Sequence, residues 1–170
     1  MEEILNHISS YSNFPKKGVV FKDLLGILHN PKIFKSLIQK ICLHKNIQEC
    51  DSLIAIDARG FIFGSAVALN CNKPMIVARK QNKLPGKLIS QKYKLEYGEN
   101  CLEIQQKALD KFKKYTIIDD VLASGGTANC IYDLVTSYGK QVIGLSVILE
   151  IKEFNSRVKL KFPVESCLQI

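Results

Sequence analysis

The stretch Ile117-Ile118-Asp119-Asp120-Val121-Leu122-Ala123-Ser124-Gly125-Gly126-Thr127 decides the fold. Together with Tyr115 and Thr116, its first residues form an apolar run too short and too β-branched for a helix, the mark of a buried strand. Residues Thr127 to Tyr138 then read as a helix that stops before Gly139. Between the two lie adjacent carboxylates and a turn of small residues. The first N–H groups of a helix have no internal partner, and its dipole adds about half a positive charge, so such a turn is a cradle for an anion. Glycines admit a phosphate closely, and the Ser124 and Thr127 hydroxyls add donors. Asp119 and Asp120 cannot hold phosphate, but they can accept hydrogen bonds from vicinal hydroxyls. Acids before a phosphate cradle therefore imply a sugar phosphate. A bare Gly-Gly-Thr would equally suit an ordinary capping turn; the whole string carries the reading. No Lys follows the glycines and no GxGxxG spacing occurs, which excludes a Walker loop and a dinucleotide fingerprint.

Outward from this segment the same rhythm repeats. Asn30-Pro31 reads as a helix cap and first turn, followed by Ile33, Phe34, Leu37, Ile38 and Ile41 at helical spacing. Leu53 to Ile56 reads as a strand, Asp57-Ala58-Arg59-Gly60 as a loop, and Gly64 to Leu69 as a helical stretch. Met75 to Ala78 and Gln141 to Leu149 are two more apolar strands. Alternating strands and helices with continuous apolar strands predict an α/β fold, a mostly parallel sheet covered on both faces. Residues Lys80 to Ile104 break the rhythm. They are polar, contain Pro85-Gly86, and hold two alternating pieces around Tyr93 to Glu96 and Cys101 to Ile104, which predicts an antiparallel excursion or hood beside the sheet.

The 170 residues, 46% hydrophobic and without a Pro/Gly/Ser-rich linker, predict a single domain spanning 1–170. Charges interrupt each apolar run before it could cross a membrane. Cys42, Cys50, Cys71, Cys101, Cys130 and Cys167 are scattered with no CxxC pair and no apolar leader, so the expectation is free thiols in a reducing cytoplasm. The net charge of +8 favours anionic partners. Six of the basic residues, Arg79, Lys80, Lys83, Lys87, Lys92 and Lys94, fall in one run without a carboxylate. No aromatic stacking pattern or helix-turn-helix accompanies them, so a small polyanion, not nucleic acid, is the expected partner.

The eleven residues from Ile117 to Thr127 resemble the phosphoribosyl pyrophosphate (PRPP) motif of type I phosphoribosyltransferases. The resemblance implies that family's fold: a central mostly parallel sheet flanked by helices, a small hood and a flexible antiparallel catalytic loop. It assigns the ribose hydroxyls to Asp119 and Asp120 and the 5-phosphate to the turn Ala123, Ser124, Gly125, Gly126 and Thr127. Three further segments are similar to adenine phosphoribosyltransferases. Phe14-Pro15-Lys16-Lys17-Gly18-Val19-Val20-Phe21-Lys22-Asp23 matches the base-binding pattern, which implies Phe21 as one wall of the adenine slot, backbone atoms of Val20 and Lys22 at the base edge, and Ile148 as the opposite wall. Asp57-Ala58-Arg59-Gly60-Phe61-Ile62-Phe63-Gly64 is similar to the pyrophosphate loop, in which a cis peptide is expected at Asp57-Ala58. Arg59 suits a bidentate clamp on pyrophosphate. Arg79, Lys80 and Lys83 continue that set, with Arg79 implied to reach a neighbouring subunit's pyrophosphate in a homodimer. Tyr93-Lys94-Leu95-Glu96-Tyr97-Gly98 with Leu102-Glu103-Ile104 is close to the catalytic-loop pattern.

The resemblance implies attack by N9 of adenine on C1 of PRPP, giving AMP and pyrophosphate for purine salvage, with Mg²⁺ bound mainly through the pyrophosphate. Arg59, Glu96 and Tyr97 are the implied catalytic residues, Glu96 moving a proton near N7 and Tyr97 covering the reaction centre. Three positions depart from the pattern: Asn82 replaces a glycine, Ser124 a threonine and Lys17 a proline. Asn tolerates left-handed backbone, so the turn at Asn82 survives. The alternatives are transfer to another purine base, or a regulator that binds PRPP without turnover.

Overall fold

The structure is a computed structural model and describes residues 2–95 and 98–170. A short helix α1 (Glu2–Leu5) leads into strands β1 (Ser9–Ser12) and β2 (Val20–Asp23), which pair antiparallel as a sheet of their own with Tyr11 opposite Phe21. A 3-10 turn (Leu25–His29) precedes α2 (Pro31–Cys42). The Asn30 side chain accepts hydrogen bonds from the Lys32 and Ile33 N–H groups at 3.2 and 3.3 Å, which satisfies two orphan donors of the first turn. Ile33, Leu37, Ile38 and Ile41 turn inward, as their spacing predicts.

Next come α3 (Lys45–Glu49), β3 (Ser52–Ile56), α4 (Arg59–Asn70) and β4 (Met75–Lys80). Strands β5 (Leu88–Leu95) and β6 (Gly98–Gln105) form the antiparallel excursion, and α5 (Gln106–Leu109) returns the chain to β7 (Lys114–Leu122). Helix α6 (Gly126–Ser137), β8 (Gln141–Glu150), 3-10 turns at Lys152–Phe154 and Ser156–Lys159, and β9 (Val164–Gln169) complete the fold.

The main sheet has the order β5-β6-β4-β3-β7-β8-β9. Strands β4, β3, β7, β8 and β9 run parallel, and β6 joins β4 antiparallel only at Arg79↔Glu103 and Lys80↔Leu102. From β3 the chain crosses outward to β4 on one side and later resumes at β7 on the other. The carboxyl ends of β3 and β7 therefore flank a topological switch point, where open α/β sheets bind ligands. Opposite directions of crossover put α4 and α6 on opposite faces. Ile117 and Leu122 of β7 pack with Ile131, Leu134 and Val135 of α6, while Ile118 packs with Phe63 and Val67 of α4 and Leu37 of α2.

Helix α4 starts at Arg59, five residues before the predicted stretch at Gly64. Gly60 and Gly64 explain both the error and the structure. A Cβ on Gly60 would lie 2.9 Å from Asp119 Oδ1, and one on Gly64 2.9 Å from Ala55 Cβ. In the sequence Gly60 looks like a loop residue; in the fold it and Gly64 let a helix lie directly on β3 and β7. The free-thiol expectation also needs correction. Cys42 and Cys71 form a disulfide joining the end of α2 to the residue after α4, while Cys50, Cys101, Cys130 and Cys167 are free. Helices α2 and α4 pack against each other, which brings together cysteines 29 residues apart. Asn82 has φ +63°, so it takes the left-handed turn the substituted glycine would have made.

Because the Asn30 cap lies outside the cavity described below, Asn30→Ala is expected to cost about 1 kcal/mol and to lower Tm by ~2–4 °C. Differential scanning calorimetry should record that loss while ligand affinity stays unchanged.

Candidate active site

A cavity of about 550 Å³ opens at the switch point. Its rim comes from three places: Val20, Phe21 and Lys22 of β2, Asp57, Ala58 and Arg59 after β3, and Asp119, Asp120 and Val121 at the tip of β7. Lys80 and Phe154 close the sides, with Tyr93, Asn100 and Leu102 from the antiparallel hairpin. A smaller cavity of about 110 Å³ continues from it beneath Ser124, Gly125 and Gly126. The two share Asp119, Val121, Ala123 and Thr127 as lining residues. Asp119 thus stands between a large chamber and a small anion-sized one, with Asp120 lining the large chamber.

The small chamber follows from the backbone of the turn. Gly125 has φ +82°, a left-handed conformation that side chains resist, and serves as the cap of α6. No side chain caps this helix start, so its leading N–H groups and dipole remain available to an anion.

Arg59, the first residue of α4, is the hub of the large chamber. Its Nε lies 2.7 Å from Asp120 Oδ2, its Nη1 donates to the Lys22 carbonyl at 3.2 Å, and its guanidinium stacks 4.7 Å from the Phe21 ring centroid. One side chain therefore joins the segment implied to read the base to the acid implied to hold the ribose. Phe14 meets the edge of Phe21 at 5.1 Å, which fixes the ring's orientation.

The acids are strained electrostatically. Burial pushes the Asp119 carboxyl well above the ordinary carboxylate range, and the neighbouring Asp120 pushes it further. Burial also raises Asp120, opposed by the Arg59 guanidinium. Asp120 is 4% exposed, and although its Oδ2 is ion-paired with Arg59 it has no aligned hydrogen bond. Such a pair lacks donors, which vicinal hydroxyls are able to supply.

The peptide Asp57–Ala58 is cis, as the resemblance implies. Asp57 Oδ2 accepts from Arg79 Nε at 3.1 Å, and Arg79 Nη1 donates to the Lys83 carbonyl at 3.3 Å. Arg79 and Lys83 thus sit beside the chamber, bonded to their own chain, and only Lys80 of that set lines it. Ile148 corrects a second expectation. It is fully buried in the core with Phe63, Leu37 and Ile118 and does not line the cavity. In a strand whose successive residues face opposite layers, the apolar pattern alone does not tell a core position from a cavity wall. Phe154, from the 3-10 turn after β8, lines the chamber instead, and no motif marked it. Glu96 and Tyr97 lie outside the described residues.

Because the folded state holds the Asp119 proton more tightly than the unfolded chain does, ionisation removes stability as pH rises above the ordinary value of 3.8. The loss is in place once pH exceeds the raised folded value. Asp119→Asn is therefore expected to raise Tm by a few degrees at neutral pH (about 2–4 °C per kcal/mol), with the gain shrinking toward about pH 4. Thermal melts across that range decide the matter; a lowered Tm at neutral pH would refute the assignment.

Residues 25–168 match the phosphoribosyl transferase domain family. An adenine phosphoribosyltransferase of Prochlorococcus marinus (strain MIT 9515) is 54% identical over 166 residues, 98% of this chain and 97% of its own length. The crystal structure of adenine phosphoribosyltransferase from Thermoanaerobacter pseudethanolicus superposes with a TM-score of 0.91 at 34% identity, covering 99% of both chains. That of the Saccharomyces cerevisiae enzyme, complexed with an imino-altritol bisphosphate and adenine, gives 0.87 at 31% identity over 97% of this chain and 96% of its own. A strand tip with paired acids, a phosphate-sized turn beside it and full-length likeness in both sequence and fold agree: the chain belongs to the phosphoribosyl transferase family, among the adenine phosphoribosyltransferases.

Proposed function

We propose that this protein transfers the 5-phosphoribosyl group of PRPP to N9 of adenine, giving AMP and pyrophosphate, as in purine salvage. The observation that carries the reading is that the two cavities meet at Asp119, with Asp120 beside it lining the larger one. A ribose seated there donates its 2- and 3-hydroxyls to the twin acids and directs its 5-phosphate into the turn from Ala123 to Thr127. Adenine lies against Phe21, with its edge at the backbone of Val20 and Lys22. Arg59, Lys80 and the turn at Asp57 and Ala58 face the pyrophosphate, and Arg79 and Lys83 add positive charge from beside the chamber.

In the adenine tautomer that carries its proton on N7, N9 has a free lone pair. As that pair attacks C1, the C1–O bond breaks and its electrons leave with the pyrophosphate, while Glu96 accepts the N7 proton. Positive charge builds on the ribose in transit and negative charge on the leaving group, so fixed cations such as Arg59 favour the transition state. Tyr97 covers the reaction centre and excludes water, which would otherwise hydrolyse PRPP.

Among the described residues no cluster of three His, Cys, Asp or Glu side chains could hold a metal, and Asp57 and Asp120 are each paired with an arginine. That donor set suits Mg²⁺ carried mainly by the substrate's own diphosphate, which is how the ion binds in many phosphate sites. When bound, the ion neutralises charge on the departing pyrophosphate. The protein works as a cytoplasmic homodimer, in which Arg79 exchanges its own Asp57 for the pyrophosphate of the adjoining subunit. Among the described residues no helix is long and apolar enough to cross a membrane.

Incubation with PRPP, Mg²⁺ and each purine base in turn is expected to yield AMP with adenine and no nucleotide with hypoxanthine, guanine or xanthine; failure with adenine overturns the proposal. Glu96→Ala is expected to lower kcat about 10²–10⁴-fold with PRPP affinity unchanged in calorimetry. Sedimentation should give twice the chain mass, and a monomer at assay concentration would remove Arg79's role.

A further inference from the structure

The connection between β8 and β9 carries a side-chain network for which the transfer chemistry has no direct use. Glu150, the last residue of β8, is 4% exposed and receives both arms of the Arg157 guanidinium at 2.7 Å. Ser166 Oγ and Gln169 Nε2 donate to the same carboxylate at 2.7 and 3.0 Å. Arg157 Nη1 also donates to the carbonyl of Val164, the first residue of β9, at 2.8 Å. The guanidinium thus ties the start of the connection to its end. The charge-assisted bonds hold the Glu150 carboxyl below its ordinary range.

The inner side of that clamped connection rests on the phosphate turn. Ser156 Oγ donates to the Ala123 carbonyl, Asn129 Nδ2 of α6 donates to the Lys159 carbonyl at 2.9 Å, and the Leu160 side chain lies 3.1 Å from where a Cβ on Gly125 would be. Phe154, in the same connection, lines the large chamber. The Ser156 bond has a directional consequence. Across a planar trans peptide the C=O and the following N–H point opposite ways. Holding the Ala123 oxygen on Ser156 therefore turns the Ser124 N–H away from the connection. A carbonyl free to rotate toward the anion would repel it.

We propose that Glu150, Arg157 and Ser156 are positioning residues for the 5-phosphate: the salt-bridged connection braces the turn from Ala123 to Gly125 so that its N–H groups, and not its carbonyls, face the phosphate. The inference rests on the phosphoribosyl reading of the site. It adds to that reading a set of residues that touch neither substrate.

The test compares wild type with Ser156→Ala, Arg157→Met and Arg157→Lys, measuring PRPP KM, adenine KM, and calorimetric affinity for AMP and adenosine. Loss of one oriented bond is expected to raise PRPP KM and weaken AMP binding about five- to tenfold. Adenosine affinity and adenine KM should stay within about twofold, since a net hydrogen-bond effect elsewhere is small. Arg157→Lys should fall between wild type and Arg157→Met, because an ammonium keeps the charge but not the two-armed geometry. A purely structural role would lower Tm and leave the AMP-to-adenosine affinity ratio untouched. That unchanged ratio in folded Ser156→Ala overturns the brace, even if Arg157→Met fails to fold. Wild type that makes no AMP would instead sink the phosphoribosyl reading, so the two failures are distinct.

Discussion

Two carboxylates on consecutive residues at the tip of a buried strand repel each other, and the arrangement of the site depends on how that cost is met. Neither Asp119 nor Asp120 has enough donors of its own: one oxygen of Asp119 takes the Asp120 N–H at 2.9 Å, and Asp120 leans on Arg59. Arg59 can reach only because α4 lies almost on the sheet, and α4 can lie there only because residues 60 and 64 have no side chain. The same guanidinium then anchors β2 through the Lys22 carbonyl and Phe21. A single electrostatic deficit thus draws together three chain segments that are remote in sequence.

On the proposed reading, the deficit also gives the ligand its grip. A sugar with neighbouring hydroxyls would bring the donors that the protein withholds, and part of its affinity would be the relief of a cost already present in the folded chain. Functional sites of this kind trade stability for binding, and perturbed carboxylates gather where they do so.

How much of this could be read from the sequence depends on whether the governing physics is local. The strand, the twin acids and the small-residue turn are consecutive, so they were legible, as were the Asn30 cap and the hydrophobic face of α2. Helix α4 looks shorter in the sequence than in the fold because a glycine looks alike whether it permits a turn or a close approach. Strand β9 and the β1–β2 hairpin escaped because SSYS and VESCLQ lack apolar alternation; pairing with neighbours, not local preference, makes them strands. Ile148 is a matter of register: one position along a buried strand exchanges core for cavity. Arg157 and Glu150 are seven residues apart with no periodicity to mark them; the only hint was a lone acid ending an otherwise apolar strand.

The small sheet of β1 and β2 has a meaning of its own. It shares no strand with the main sheet, and the Arg59 side chain spans from the main domain to it. On the proposed reading, the strand that meets the acceptor base and the strand tip that holds the pentose therefore belong to separate sheets. That separation lets evolution, or an engineer, vary the base-facing residues of the small sheet toward a different nucleobase while the strand pairing of the pentose-handling frame stays as it is.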